Sequence, residues 1–315
     1  MRVFSGEPPS TANVGKPSAG INKYGFVRFC GGQGSNTTIE FTGSERNRKH
    51  IEYGFVRGDI LSRIRPYFEL TIVVPRDEGI GIGLCGTKVF VGAMPGWPSF
   101  PSLGYHSDDG CLFLQDNEGQ GLKFGPECRA GDRMGCGLLF SSSGEAETAY
   151  FTRNGEIIGW VPVPSADLVY PMVAATAPGV VRLDFAAPAP SVPPACKIGA
   201  RTFSNLALAA SAARKGDLIS VSRGLHALAE GLKIRKDITI QGKGEQQTVL
   251  RLYGRFIVTS TSAKVLPALC SQQRGCHMGA IVWPFDGTTQ GIRRCFQGLR
   301  TLYLSPAGCH SGYVT

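Results

Sequence analysis

Between residues 66 and 185 the chain is cut into eight short apolar segments, 66–74, 80–84, 111–114, 134–140, 147–153, 156–161, 169–176 and 179–185, each bounded by Gly, Pro, Asp or Asn. Segments of this length recur with no helical period between them, a pattern that excludes a helical bundle and predicts an antiparallel β-sandwich. Residues 66–74 (PYFELTIVV) alternate large apolar side chains with smaller or polar ones, as a strand with one face in a core must. Ile80, Ile82 and Leu84 continue the alternation with glycines between them. The clearest turn is Asn154-Gly155, between AYFTR and EIIGW. Both residues tolerate positive φ, so the flanking strands can close as a two-residue hairpin. The 42 glycines and 20 prolines among 315 residues suit short strands and tight turns better than long helices.

The rest of the chain divides around this block. Residues 1–20, rich in Ser, Pro, Gly and Ala, predict a disordered leader, and the sandwich is expected over 21–186. YGFVR occurs at 24–28 and again at 53–57; because the flanks differ, the two copies read as similar edge strands. Residues 186–195 (AAPAPSVPPA) cannot continue a sheet, which predicts a Pro/Ala-rich linker over 187–199. Beyond it, Phe203, Leu206, Ala209, Ala210 and Ala213 fall at helical spacing, with Thr202 or Ser204 available as N-cap and Gly216 as the stop. The short strand-like pieces at 218–222, 232–234, 238–242 and 248–253 suit coils of a β-solenoid, placed at 200–258. From Thr259 the periodicity is lost, and 259–315 is expected to be a poorly ordered tail.

Charge is divided unevenly. Residues 1–186 hold 17 basic and 19 acidic side chains, whereas 187–315 hold 16 and 5. The positive residues of the second half, such as Arg214, Lys233, Lys236 and Lys243, are dispersed without interleaved aromatics, so they read as a solvated basic face more than as a nucleic-acid surface. The ten cysteines contain no Cys-x-x-Cys pair and read as reduced, small core residues. No apolar run near 18 residues or signal-peptide-like start is visible, so a cytoplasmic location is expected, with the nucleus also open, and no membrane association.

The segment from Gly96 to Gly137 is dense in turn and strand signals but has no nucleophile with its base, which points to binding. PYFELTI (66–72), GIGIGL (79–84), GW (96–97), LGYHSDDG (103–110), FGPEC (124–128), GDRMGCG (131–137), YFTRNGEIIG (150–159) and YPMV with a Gly-Val-Val strand after it (170–181) together resemble a SPRY domain. This is the interaction module also found within B30.2 domains, and the match is nearest the subtype of Ran-binding-protein-M-like proteins. The resemblance covers about 120 residues and implies a bent sandwich of two antiparallel sheets that grasps a short segment of a partner protein with loops at one end. In SPRY domains of the SOCS-box type, the tyrosine of the GY pair and the residue three positions on contact the peptide, which implies Tyr105 and Asp108 here. His106 and Asp109 share that loop, and Trp97 could serve in packing or contact. The family's contact tryptophan after the YPVV-like strand is missing: that turn reads Ala175-Thr176-Ala177-Pro178-Gly179, so Thr176 and Pro178 stand in its place and the peptide preference is open. His106, Asp108 and Asp109 read as a turn with side-chain caps rather than a metal or catalytic cluster, and no cofactor is expected.

Residues 200–253 are similar to the first coil of right-handed β-helix domains of the carbohydrate-binding and sugar-hydrolase type, carried by the helix, GDLISVS and GLKIRKDITIQGKGEQQTVL. One or two coils fall short of the number that is stable alone, so this part looks truncated. Its acids at 200–258, Asp217, Glu230, Asp237 and Glu245, are not stacked at coil spacing as a hydrolase would need. In the tail, Cys270, Cys276, His277, Cys295, Cys309 and His310 do not follow common zinc spacings. The expectation is therefore a mainly β, non-enzymatic protein-binding chain, with a substrate-recruiting role in ubiquitin ligation suggested by the resemblance. Carbohydrate chemistry on the solenoid and nucleic-acid binding by the basic half are the alternatives, and the oligomeric state is open.

Overall fold

The computed structural model describes residues 22–24, 27–33, 36–42, 54–74, 79–87, 93–98, 100–115, 121–175, 179–228, 232–243, 248–252, 256–258, 264–266 and 269–272. The expected leader lies outside the described residues. Contacts divide the rest into two units, one drawn from 1–158 with 163–191, the other from 159–162 with 192 onward.

The first unit is a sandwich. One sheet has the order β1-β4-β13-β6-β7-β8-β9, from β1 (Asn22–Tyr24), β4 (Gly54–Arg57), β13 (Tyr170–Ala175), β6 (Ile80–Cys85), β7 (Ser102–His106), β8 (Cys111–Leu114) and β9 (Leu122–Lys123). The other runs β2-β3-β14-β5-β10-β11, from β2 (Val27–Gln33), β3 (Asn36–Phe41), β14 (Gly179–Asp184), β5 (Tyr67–Val74), β10 (Arg133–Phe140) and β11 (Ala146–Arg153). Every pairing in these two runs is antiparallel. All eight expected segments from 66 to 185 coincide with strands. Asn154 (φ 54°) and Gly155 (φ 84°) form the expected tight turn into β12 (Glu156–Pro162). The YGFVR copies behave differently from expectation: the first is split between β1 and β2, and the second, as β4, lies between β1 and β13 rather than at an edge. Phe55 and Val56 are fully buried there, because each face of β4 has neighbours to pack against.

Period two decides which side chains meet. Val56, Val173, Ile82 and Tyr105 are in register across β4, β13, β6 and β7 and face the second sheet, where the Tyr105 ring lies 5.9 Å from Phe151. The alternate positions, Phe55, Ala174, Gly81 and His106, face the opposite side, which residues 93–98 and Phe100 cover. A side chain at Gly81 would reach within 2.9 Å of Met94 and Pro95, and one at Gly104 within 2.3 Å of the Pro95 carbonyl. The glycines of GIGIGL thus let a loop pack against the sheet while Ile80, Ile82 and Leu84 fill the core. In the second sheet Gly137 sits between Tyr67 and Tyr150, whose rings stack 6.0 Å apart.

The second unit starts earlier than the linker reading allowed. β15 (Cys196–Ile198) and β16 (Arg201–Phe203) pair antiparallel, because Cys196 and Ile198 are buried and Lys197 exposed, an alternation too short to show in sequence. Phe203 is therefore in a strand, and the helix α1 is shorter than expected, Leu206–Ala212, with Asn205 as N-cap in place of Thr202 or Ser204. The Asn205 side chain accepts the Leu208 N–H at 2.9 Å. Arg201 donates to the Ala212 carbonyl, and Lys236 to the carbonyls of Ser211 and Ala213, so two cations satisfy the helix C-terminus. Then β17 (Leu218–Val221), β20 (Thr239–Gln241) and β23 (Lys264–Leu266) stack in parallel. β18 (Gly224–Leu228), β21 (Thr248–Leu252) and β24 (Leu269–Gln272) do the same, as do β19 (Leu232–Ile234) and β22 (Phe256–Val258). β23 and β24 fall within the stretch expected to be poorly ordered; they carry the parallel ladders past residue 258.

Candidate functional site

The β7–β8 connection, residues 107–110, is the loop in which a binding role was expected. Strand alternation dictates what it can offer. Tyr105 points into the core and is fully buried; its hydroxyl donates to the Pro126 carbonyl, its ring packs edge-on to Phe124, and burial drives its pKa well above the ordinary tyrosine value. His106 is on the other face but is 5% exposed. Its ring stacks 4.1 Å from Phe113, and Nε2 donates to the Pro95 carbonyl at 2.9 Å. Burial lowers its pKa, opposed by that hydrogen bond and by Asp108 and Asp109, so the ring is neutral near pH 7. The expectation that Tyr105 and His106 meet a partner is therefore corrected: both side chains fill the fold, one in the core and one under residues 93–98.

Asp108 and Asp109 remain at the surface, exposed and half-buried respectively. Asp109 caps its own turn, accepting the Cys111 N–H at 2.8 Å. Gly110, at φ 64°, allows the chain to reverse. Ser107 Oγ accepts the Ile80 N–H, the Ser107 carbonyl accepts the Cys128 N–H, and the Gly110 carbonyl accepts those of Phe124 and Gly125. The turn is thus fixed to the 124–128 segment beside it. Trp97 is half-buried and packs, with Tyr170, against a cluster of Phe55, Cys85, Met94, Phe100 and Met172. Thr176 and Pro178 lie outside the described residues.

A neighbouring network was not read from the sequence. Asp132 accepts hydrogen bonds from the Arg153 guanidinium at 2.9 Å, the Arg129 N–H at 2.8 Å and the Asn154 side chain at 2.8 Å, and Asn154 accepts the Arg133 N–H in turn. Burial alone would raise the Asp132 pKa, but the hydrogen bonds from Arg153, Arg129 and Asn154 outweigh it and hold the carboxyl down to about 2. Arg133 also pairs with Glu69 at 3.2 Å. Asn154-Gly155 was legible as a turn and Gly131-Asp132 as the start of the GDRMGCG motif; that a carboxylate ties one to the other depends on strand register. Together, 107–110, 124–132 and 154–155 make one continuous polar end of the sandwich, with Asp108, Glu127, Arg129, Arg133 and Asn154 exposed.

Cys85 and Cys196 are buried with thiols pushed up to about 12 by burial, and burial also raises the fully buried Cys136 thiol well above its ordinary value, so these are protonated packing residues. Cys128 is buried as well, but Cys111 is half-buried and Cys30 exposed, which departs from an all-core reading. Among the described residues no group of three His, Cys, Asp or Glu side chains could hold a metal ion. In the second unit Asp217 accepts from Arg201 and from the Arg214 N–H, and Asp237 pairs with Lys215.

With the geometry in place, the chain can be set beside known proteins. Human SPRY domain-containing protein 3 is 36% identical over 123 residues, 38% of this chain and 27% of that protein. Mouse Ran-binding protein 9 is 36% identical over 116 residues, 36% of this chain and 17% of that protein. This chain carries a SPRY domain. A crystal structure of a human SPRY domain, 30% identical, covers 51% of this chain and 98% of its own, with a TM-score of 0.43. No protein-family profile matches the chain. The similarity spans about a quarter of the length of the first of these proteins and about a sixth of the second.

Proposed function

We propose that the chain is a protein-interaction module whose SPRY domain holds a short segment of a partner protein at the polar end formed by 107–110, 124–132 and 154–155. The observation that carries this reading is the fixed hydrogen bonding of those loops, which leaves Asp108, Glu127, Arg129 and Asn154 exposed on a backbone that needs no ordering when a ligand arrives. Both signs of charge are offered, which favours a polar peptide with a matching charge pattern over an apolar one. The contact assignment moves accordingly from Tyr105 and His106 to Asp108 and its polar neighbours. Thr176 and Pro178 follow β13, whose last residue Ala175 pairs with Ile80 beside this loop, so they are proposed as further contacts.

The parallel ladders of the second unit support its reading as β-helix coils acting as a second contact surface or scaffold. Recruitment of a substrate for ubiquitin ligation, in the cytoplasm, is the physiological role we propose for such a pair of modules. No helix of the described residues is long and apolar enough to cross a membrane.

The test is affinity capture of partners by the full chain, followed by direct titration of the captured proteins against wild type and an Asp108→Arg, Arg129→Glu double variant. A loss of affinity of about tenfold or more, with unchanged circular dichroism, is expected if the polar end is the site. Equal affinity for the double variant would place binding elsewhere.

A further inference from the structure

We propose that the turn between β4 and β5, at the opposite end of the sandwich, is a self-association surface through which two copies of this chain form a weak dimer. Ile64 is 91% exposed and Ile60 53%, the two most exposed large apolar side chains among the described residues. They do not project because the loop is slack. The Ser62 N–H donates to the Arg65 carbonyl at 3.0 Å, and Ser62 Oγ accepts the Arg65 N–H at 3.3 Å, which closes a tight turn with Arg63 and Ile64 at its tip. Leu61, buried at 5%, anchors the turn, and its N–H donates to the Val169 carbonyl at 2.8 Å. The Arg63 guanidinium donates to the Ser141 carbonyl, bracing the tip against the β10–β11 turn. A rigid turn that holds an isoleucine almost wholly in water keeps an apolar contact available without an ordering cost.

The charges around the two isoleucines point to the occupant. Asp59 precedes Ile60, and Arg63 and Arg65 flank Ile64, all three exposed. A patch with both signs around an apolar centre is complementary to itself across a two-fold axis: Ile60 and Ile64 of each copy meet their counterparts, while Asp59 of one copy faces Arg65 of the other. One turn covers only a few hundred Å² per copy, on the order of the smallest transient interfaces. An interface of that size should hold only weakly, with a dissociation constant on the order of 100 μM or weaker. β5, β10 and β11 run from this end to the loops assigned above to partner binding, so dimerisation leaves those loops free. Any gain in avidity rests on that assignment, whereas the self-association does not.

Sedimentation equilibrium of the full chain from about 5 to about 500 μM tests the proposal. The weight-average mass should rise from monomer towards dimer, and Ile64→Asp should weaken the association at least about tenfold. Since Ile64 is exposed, that variant should keep its fold. Arg65→Glu should weaken association likewise, and adding Asp59→Lys should restore it by exchanging the two charges. A mass that stays monomeric over the whole range overturns the proposal, as does association unaffected by Ile64→Asp. A third contrary outcome is Ile64-dependent binding to vesicles of mixed neutral and acidic phospholipid by a chain that remains monomeric.

Discussion

The two units each bury a histidine under an aromatic ring, yet the surroundings differ. In the SPRY domain His106 stacks on Phe113 and donates Nε2–H to Pro95, with Asp108 and Asp109 near enough to favour its charged form. In the second unit His226, 2% exposed, stacks 4.8 Å from Trp160 and bonds the Ser222 carbonyl through Nε2 at 3.1 Å. Among the described residues its Nδ1 has no hydrogen-bond partner, nor has the Trp160 Nε1. Burial pushes the His226 pKa down to about 4. A buried polar ring is tolerated in both places, but among the described residues only the sandwich supplies charges that would stabilise its protonated state. The loop that carries those charges is also the loop assigned to binding.

The largest expected effect tests whether the GY tyrosine belongs to the core rather than to the binding surface. Tyr105→Ala should destabilise the SPRY domain by about 3–5 kcal/mol, since it removes a fully buried ring packed on Phe124 and Phe151 and leaves the Pro126 carbonyl without its donor. Urea denaturation measures it, and a loss below about 1 kcal/mol would contradict the core assignment. Next in size is the acid response of the second unit. The folded His226 pKa is below the ordinary 6.5, so the unfolded chain binds the proton more readily. The stability that neutral His226 confers is fully present above pH 6.5 and is lost as pH falls towards 4, by about 3 kcal/mol at most. Hydrogen exchange read by mass spectrometry over residues 218–228 should show protection falling in that window, and His226→Phe should flatten the decline.

Asp132 gives a smaller effect in a lower window. Its carboxyl is held down to about 2, so the stability from its charged form is present above about pH 4 and disappears as pH drops through 2. Because the network opens to solvent, Asp132→Asn should cost about 1–2 kcal/mol at pH 7. The variant should also lose that part of the acid dependence. An Asp132→Asn chain with the same urea midpoint as wild type at both pH 7 and pH 3 would show that the carboxylate merely decorates the turn.

These contrasts also explain what could be seen in the sequence. The eight sandwich segments and the Asn154-Gly155 hairpin were legible because period two and turn chemistry are local. The burial of Tyr105 was hidden, since the face it occupies is set by register with Ile82 and Val173 on other strands. His106 was harder still: alternation places it on the far face of β7, and only the cover from residues 93–98 makes that face an interior. The Asp132 bonds cross from one turn to another for the same reason. In the second unit the apolar pieces were visible, but the parallel pairing of Leu218 with Thr239 and of Thr239 with Lys264 joins segments whose local text offers no partner. The ladders therefore extend past the point at which sequence periodicity fades.

Asn205→Ala should give the smallest change, and it probes how the second unit begins. The seven residues of α1 are too few to form a stable helix alone. Its start depends on the Asn205 side chain and its end on Arg201 and Lys236, so no single cap carries the whole helix. Loss of the N-cap should therefore cost about 1 kcal/mol. Faster hydrogen exchange should be confined to the first turn, including Leu208, whose N–H loses its acceptor. Leu206, Ala209 and Ala210 are buried beneath the helix, so their packing should hold the rest in place. Exchange that accelerated equally through β17 and β18 would instead mean that the ladders depend on this cap for their order.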